Sequence, residues 1–201
     1  MLKYIGMIGR SNNNRITFNK EIINIIINNN YTPLGIIVDF NNDSKDEFNK
    51  IKPLIDMCSG FILQGGSDFY DIDIKITKYL YEINKPTLGI CLGMQTMAMA
   101  FNGIMMDIND HNKKDKYVHE IIIDKNSKLY EIIKKDKIKV NSRHNSYIYN
   151  TSLQISAKND IIEAIEDRNK LFFIGVQWHP ESIITDNNSI LLFKSFFKSI
   201  N

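Results

Sequence analysis

The chain is predicted to fold as an α/β protein, with a mostly parallel sheet carrying helices on both faces and an antiparallel region added in its C-terminal half. Three observations carry that prediction. Strand-like apolar runs alternate with runs of helical period four times in about the first hundred residues, the pattern of successive strand–helix crossovers. The fourth run ends in Gly89-Ile90-Cys91-Leu92-Gly93, and a helix-forming Met/Ala run follows at once. Beyond it lie shorter apolar runs separated by turn-rich polar residues, with Asp167-Arg168-Asn169-Lys170 reading as a hairpin connection.

In chain order, residues 2–8 read as the first strand and 9–15 as a polar loop. Residues 19–30 carry Ile22, Ile23, Ile26 and Ile27 at helical spacing, with Asn19 as the candidate N-cap. A second strand spans 34–38 after Pro33, and a solvated loop spans 41–46. The next helix runs through Phe48, Ile51, Leu54 and Ile55, bent or restarted at Pro53. Residues 61–63 form a third strand closed by Gly65-Gly66; a helix spans 72–83, and Pro86 opens the fourth strand. Residues 109–116 are a charged loop. Strands over 118–123 and 138–140 flank a short helix at 129–133, and further strands span 153–157, 161–165 and 171–176. A last helix, over 189–200, docks its apolar face.

At 201 residues the chain suits one buried domain, 1–201, without an internal linker or repeat. A formal net charge of +2 gives no reason to expect a nucleic-acid partner or an anionic membrane surface. No apolar run approaches the roughly 20 residues of a bilayer span, and the first residues read as a strand, not a signal peptide. Two unspaced cysteines, Cys58 and Cys91, point to a reducing cytoplasm instead of a disulfide framework.

Cys91 is the candidate nucleophile. Glycines two residues to either side fit a sharp strand-to-helix turn in which a Cβ would collide with strand or helix. A helix N-terminus favours the thiolate. The plainer reading is a buried strand-edge cysteine. Among the histidines, His111 lies in the charged loop and reads as solvated, and His119-Glu120 lacks the second histidine of a zinc-protease helix. His179 follows an apolar strand in Gln177-Trp178-His179-Pro180-Glu181; in extended chain Glu181 shares its face and can orient the ring. Gly65-Gly66 is a turn by default, or it presents a backbone N–H beside that of Leu92 as an oxyanion hole. On composition alone, residues 140–146 read as a polar turn.

Together, Gly89-Ile90-Cys91-Leu92-Gly93-Met94-Gln95 and Gln177-Trp178-His179-Pro180-Glu181 resemble the class I glutamine amidotransferase superfamily. Trp178, Val140-Asn141-Ser142-x-His144 and Glu163-Ala164-Ile165-Glu166 look most like its γ-glutamyl hydrolase branch, which includes the γ-glutamyl-γ-aminobutyrate hydrolases. The resemblance implies a flavodoxin-like three-layer sheet with a Cys91–His179–Glu181 triad and an oxyanion hole of Gly66 and Leu92. It also implies a substrate-binding wall of Gly65, Gln95, His144, Asn145 and Ser146. It implies no metal and no organic cofactor, and the spacing shows no ligand cluster. Gln64 stands where the family commonly has proline, which predicts a less rigid loop.

The implied reaction is hydrolysis of a γ-glutamyl amide through a cysteine thioester, with a small-molecule γ-glutamyl substrate. The chain is short for a γ-glutamyl hydrolase. That brings in the alternative, a glutaminase subunit that supplies ammonia to a synthetase partner. A non-catalytic binding module is disfavoured because every triad position is filled.

Overall fold

The computed structural model describes residues 3–40 and 44–200. The first strand, β1 (Tyr4–Ile8), is followed by a small hairpin, β2 (Arg10–Asn12) and β3 (Arg15–Thr17), where the sequence predicts a polar loop. Polar three-residue strands leave no apolar alternation to read. The turn is made by Asn13, one of the residues that tolerate its φ of 52°. Helix α1 (Lys20–Asn28) starts where expected: Asn19 Oδ1 accepts from the N–H groups of Glu21 at 2.8 Å and Ile22 at 3.2 Å.

Strand β4 (Thr32–Ile36) includes Pro33, against the expectation of a strand after it. It pairs on one side only, so the missing N–H breaks no ladder bond. Helix α2 (Ser44–Met57) runs through Pro53 as one element and takes in residues 44–46 of the expected loop; the loop's first three residues lie outside the described ones. Strand β5 (Cys58–Leu63) starts before the apolar run, because Cys58, Ser59 and Gly60 give no strand signal. Then come α3 (Asp71–Glu82), β6 (Thr87–Ile90) and α4 (Leu92–Ala100).

The C-terminal half holds β7 (Ile104–Asp107), β8 (His119–Ile123), α5 (Lys128–Ile133), β9 (Lys137–Val140) and β10 (Ser146–Asn150). It continues with β11 (Gln154–Lys158), β12 (Ile162–Glu166), β13 (Phe173–Val176), a 3₁₀ turn (Pro180–Ile183) and α6 (Asn187–Lys198). Strands β7 and β10, unforeseen in the sequence, pair with each other and set Ser146 at the start of a strand instead of within a turn.

Nine of the described strands form one sheet, in the order β4-β1-β5-β6-β13-β12-β11-β8-β9. From β4 to β13 every pairing is parallel, and the chain visits these five strands in the order 2-1-3-4-5 of a flavodoxin-like sheet. From β13 outward every pairing is antiparallel. One apolar layer packs α1, α5 and α6 on one face, and a second packs α2, α3 and α4 on the other. The fold is therefore the three-layer α/β/α arrangement with a mixed, mostly parallel sheet. Fully buried rings such as Phe61, Phe173 and Phe196 each contribute about 1.5–3 kcal/mol to these layers.

Candidate active site

Cys91 caps α4 at the carboxyl end of β6, with φ 52° and ψ −108°. That backbone costs a non-glycine residue about 1–3 kcal/mol and persists only where its surroundings force it. They do so here. The Cys91 N–H donates to Val176 O at 2.8 Å, and its carbonyl accepts from Gln95 N–H at 3.0 Å. A Cβ on Gly93 would come within 2.0 Å of Leu63 O, and one on Gly89 within 2.8 Å of the Gly93 carbonyl carbon. The two glycines thus let helix, elbow and neighbouring strand close on one another.

Strand β13 lies beside β6 in parallel register, Val176 opposite Ile90, so the chain leaves the sheet edge next to Cys91 and reaches His179 three residues on. Asn141, fully buried at the end of β9, clamps that position: its Oδ1 accepts from His179 N–H and its Nδ2 donates to His179 O, both at 2.8 Å. His179 Nδ1 donates to Glu181 Oε1 at 2.7 Å. Glu181 reaches the ring from the 3₁₀ turn that Pro180 opens, not from extended chain, so the expected contact forms by a different local geometry. Asn19 Nδ2 also donates to Glu181 Oε1, at 3.2 Å.

Burial of the His179 ring disfavours its charge, but hydrogen bonds to Cys91 and Glu181 outweigh that and raise its pKa from 6.5 to about 10. At neutral pH the ring is an imidazolium between a sulfur and a carboxylate. The other thiol is different in kind: burial pushes Cys58 up to about 11.

A cavity of about 290 Å³ opens beside the sulfur, near the lower bound for small-molecule sites. Cys91, Leu92, Gly66, Gln95, His144, Asn145 and Ser146 all line it, so most of the sequence-predicted wall comes together. Gln95 is held there by Nε2 donating to Ser146 O at 2.8 Å. Gly65 is the exception and does not line the cavity. A Cβ there would lie 3.0 Å from His179 Cε1 and 3.6 Å from Cys91 Cβ, so its bareness makes room for the pair.

The sequence matches the class-I glutamine amidotransferase family over residues 13–199. The chain belongs to that family. It is 32% identical over 144 residues to a Francisella tularensis GMP synthase [glutamine-hydrolyzing], covering 67% of this chain and 26% of the relative. It is 30% identical over 182 residues to a Bacteroides fragilis CTP synthase, covering 71% of this chain and 33% of the relative. This amidotransferase chain therefore spans about a quarter to a third of the length of these curated relatives. Two solved structures share its fold. A Thermoplasma acidophilum protein, provisionally named as part of a GMP synthase, has TM-score 0.74 and 18% identity, covering 100% of this chain and 94% of that one. The glutaminase domain of Trypanosoma brucei CTPS with bound acivicin has TM-score 0.73 and 17% identity, covering 98% and 94%.

Several residues in this amidotransferase site were not legible in its sequence. Gln64 does not loosen its loop: buried, it donates to Ile8 O at 2.7 Å and to Thr17 O at 3.2 Å, and accepts from Asn19 N–H at 2.7 Å. Arg10 pairs with both carboxylate oxygens of Asp73 at 2.8 and 2.9 Å, and its stem packs under Gly66. Arg143 is the one Lys or Arg among the described residues lining the cavity. Nor is His111 solvated; its half-buried ring lies 5.6 Å from the His119 ring and 5.2 Å from the His144 ring. Burial, then His111, pushes the His144 pKa down to about 4, so that ring is neutral. The β7–β10 pairing and the residue 109–116 loop make these approaches, and spacing along the chain carries no sign of them.

Proposed function

We propose that this chain is a glutaminase: it takes ammonia from the side chain of glutamine through a thioester on Cys91 and supplies it to a synthetase partner. The single observation that carries the reading is Cys91, at a strained elbow, brought beside the ring of a His179 whose Nδ1 rests on Glu181. Cys91 Sγ attacks the amide carbon, and the oxygen that becomes negative turns toward the N–H groups of Leu92 and Gly66. Each such donor is worth about 3 kcal/mol of barrier. The His179 imidazolium gives its proton to the departing nitrogen, and ammonia leaves. Water then attacks the thioester carbonyl while His179 takes its proton; glutamate departs, and thiolate and imidazolium are restored.

Glu181 positions the ring and stabilises its charge. Arg143 pairs with the α-carboxylate of the substrate, and the wall of Gln95, His144, Asn145 and Ser146 holds its amino-acid end. The relatives named as synthases favour ammonia supply over a free-standing hydrolase. The second reading is hydrolysis of another γ-glutamyl amide, as in the γ-glutamyl hydrolase branch; it rests on the Val140-to-His144 and Glu163-to-Glu166 stretches. With both cysteines free, and no helix among the described residues long and apolar enough to cross a membrane, the compartment we propose is the cytoplasm.

The test is a mass-spectrometric screen of the purified chain against glutamine and a panel of γ-glutamyl amines. The proposal expects slow glutamate release from glutamine, stimulated by the synthetase and absent in Cys91→Ser. Fast, unstimulated release of an amine from a γ-glutamyl amine would put the second reading in its place.

A further inference from the structure

We propose that His111, His144 and Glu163 form a divalent transition-metal site, for zinc in the first place, in the wall of the candidate catalytic cavity. One ligand atom from each lies within 4.8 Å of the other two. Ligands about 2.1 Å from a tetrahedral ion stand about 3.4 Å apart, so rotations that draw the atoms in by about 1.4 Å complete the site.

The carboxylate is the observation that points to a cation. Glu163 is fully buried; its Oε1 accepts from His119 Nε2 at 2.7 Å, while its Oε2 is buried with no hydrogen-bond partner. A buried carboxylate oxygen without a donor is strongly disfavoured unless a positive charge compensates it.

The imidazoles are prepared in the same sense. His144 Nδ1–H donates to Ser146 O at 3.0 Å, which leaves the lone pair on Nε2. That nitrogen lies 3.1 Å from Ser142 Oγ, and His111 Nδ1 lies 3.4 Å from the same hydroxyl. Ser142 has one proton and gives it to His111 O at 2.5 Å, so it leaves the Nε2 lone pair without a donor. His119 on Glu163 and Ser146 on His144 are the outer hydrogen bonds that orient metal ligands in such sites.

Two imidazoles and a carboxylate suit zinc, with a fourth position for water; magnesium and calcium prefer all-oxygen shells. The ion would tie the residue 109–116 loop to the start of β10, and so brace the His144–Ser146 wall without touching the reacting atoms.

The test titrates the purified, chelator-stripped full chain with Zn²⁺ and with Co²⁺, followed by calorimetry and the visible absorption of four-coordinate Co²⁺. One equivalent is expected, with no competition from millimolar Mg²⁺. His111 is half-buried on a loop, so His111→Ala stays folded and should weaken binding at least about 100-fold; His119→Gln should weaken it about 10- to 100-fold. Cys91→Ser should bind as the parent does. Failure to bind one equivalent, binding unchanged in His111→Ala, or binding lost in Cys91→Ser would each overturn the assignment, the last because the thiol would be the ligand.

Discussion

The two halves of the sheet hold their functional groups by different means. In the parallel half, Cys91 is fixed by backbone: a strained φ, two main-chain hydrogen bonds and glycines that let α4 meet β5. In the antiparallel half and the turn that follows it, position is set by side chains. Asn141 clamps His179, Glu181 holds the ring, and Gln95 meets Ser146 across 51 residues of chain. The nucleophile's placement should therefore fail only when shape is violated. The acid and the pocket should fail when single hydrogen-bonding groups are removed.

The largest expected effect tests the backbone side. Gly93→Ala puts a methyl group against the Leu63 carbonyl, and overpacking against main chain should destabilise the fold by about 3 kcal/mol or more. A thermal melt within a degree of the parent would show that the elbow is looser than described. His179→Asn should lower turnover by about 10³-fold, because it removes one proton-transfer group. Asn141→Ala comes next: the ring loses its backbone clamp but keeps Glu181, and kcat should fall about 10- to 100-fold. An unchanged kcat would mean that Glu181 alone fixes the ring. Smallest is Arg143→Met, which should raise KM for glutamine about tenfold with kcat within about twofold, the mark of a group that binds ground and transition states alike.

The same contrast separates what the sequence reveals from what it conceals. The strand–helix alternation, the Asn19 cap and the elbow at Cys91 are written in neighbouring residues, and all three stand where local rules put them. Even so, Pro33 lies inside an edge strand and Pro53 inside a helix, since tertiary packing overrides a local breaker. The hairpin at residues 10–17 and the β7–β10 pair escape notice because their strands are short and polar or only partly buried. The grouping of His111, His119, His144 and Glu163 escapes it for another reason: four separated segments meet only through antiparallel pairing and a loop.

The raised pKa of His179 gives a further check on the side-chain half. A ring whose folded pKa exceeds its unfolded value contributes stability that is full below about 6.5 and lost as pH rises through about 10. The melting-temperature advantage of the parent over His179→Gln should accordingly shrink between those limits and stay level below pH 6. An advantage that grows with pH across that window would contradict an imidazolium held by Cys91 and Glu181.

The central claim is that Cys91 and His179 act as one unit, and intact-mass analysis with a glutamine-mimicking electrophile tests it most directly. One adduct is expected, on Cys91, suppressed by glutamine and at least about tenfold slower in His179→Asn, while Cys58 stays unmodified. An adduct on Cys58 instead, or labelling of Cys91 at the parent rate without His179, would contradict it.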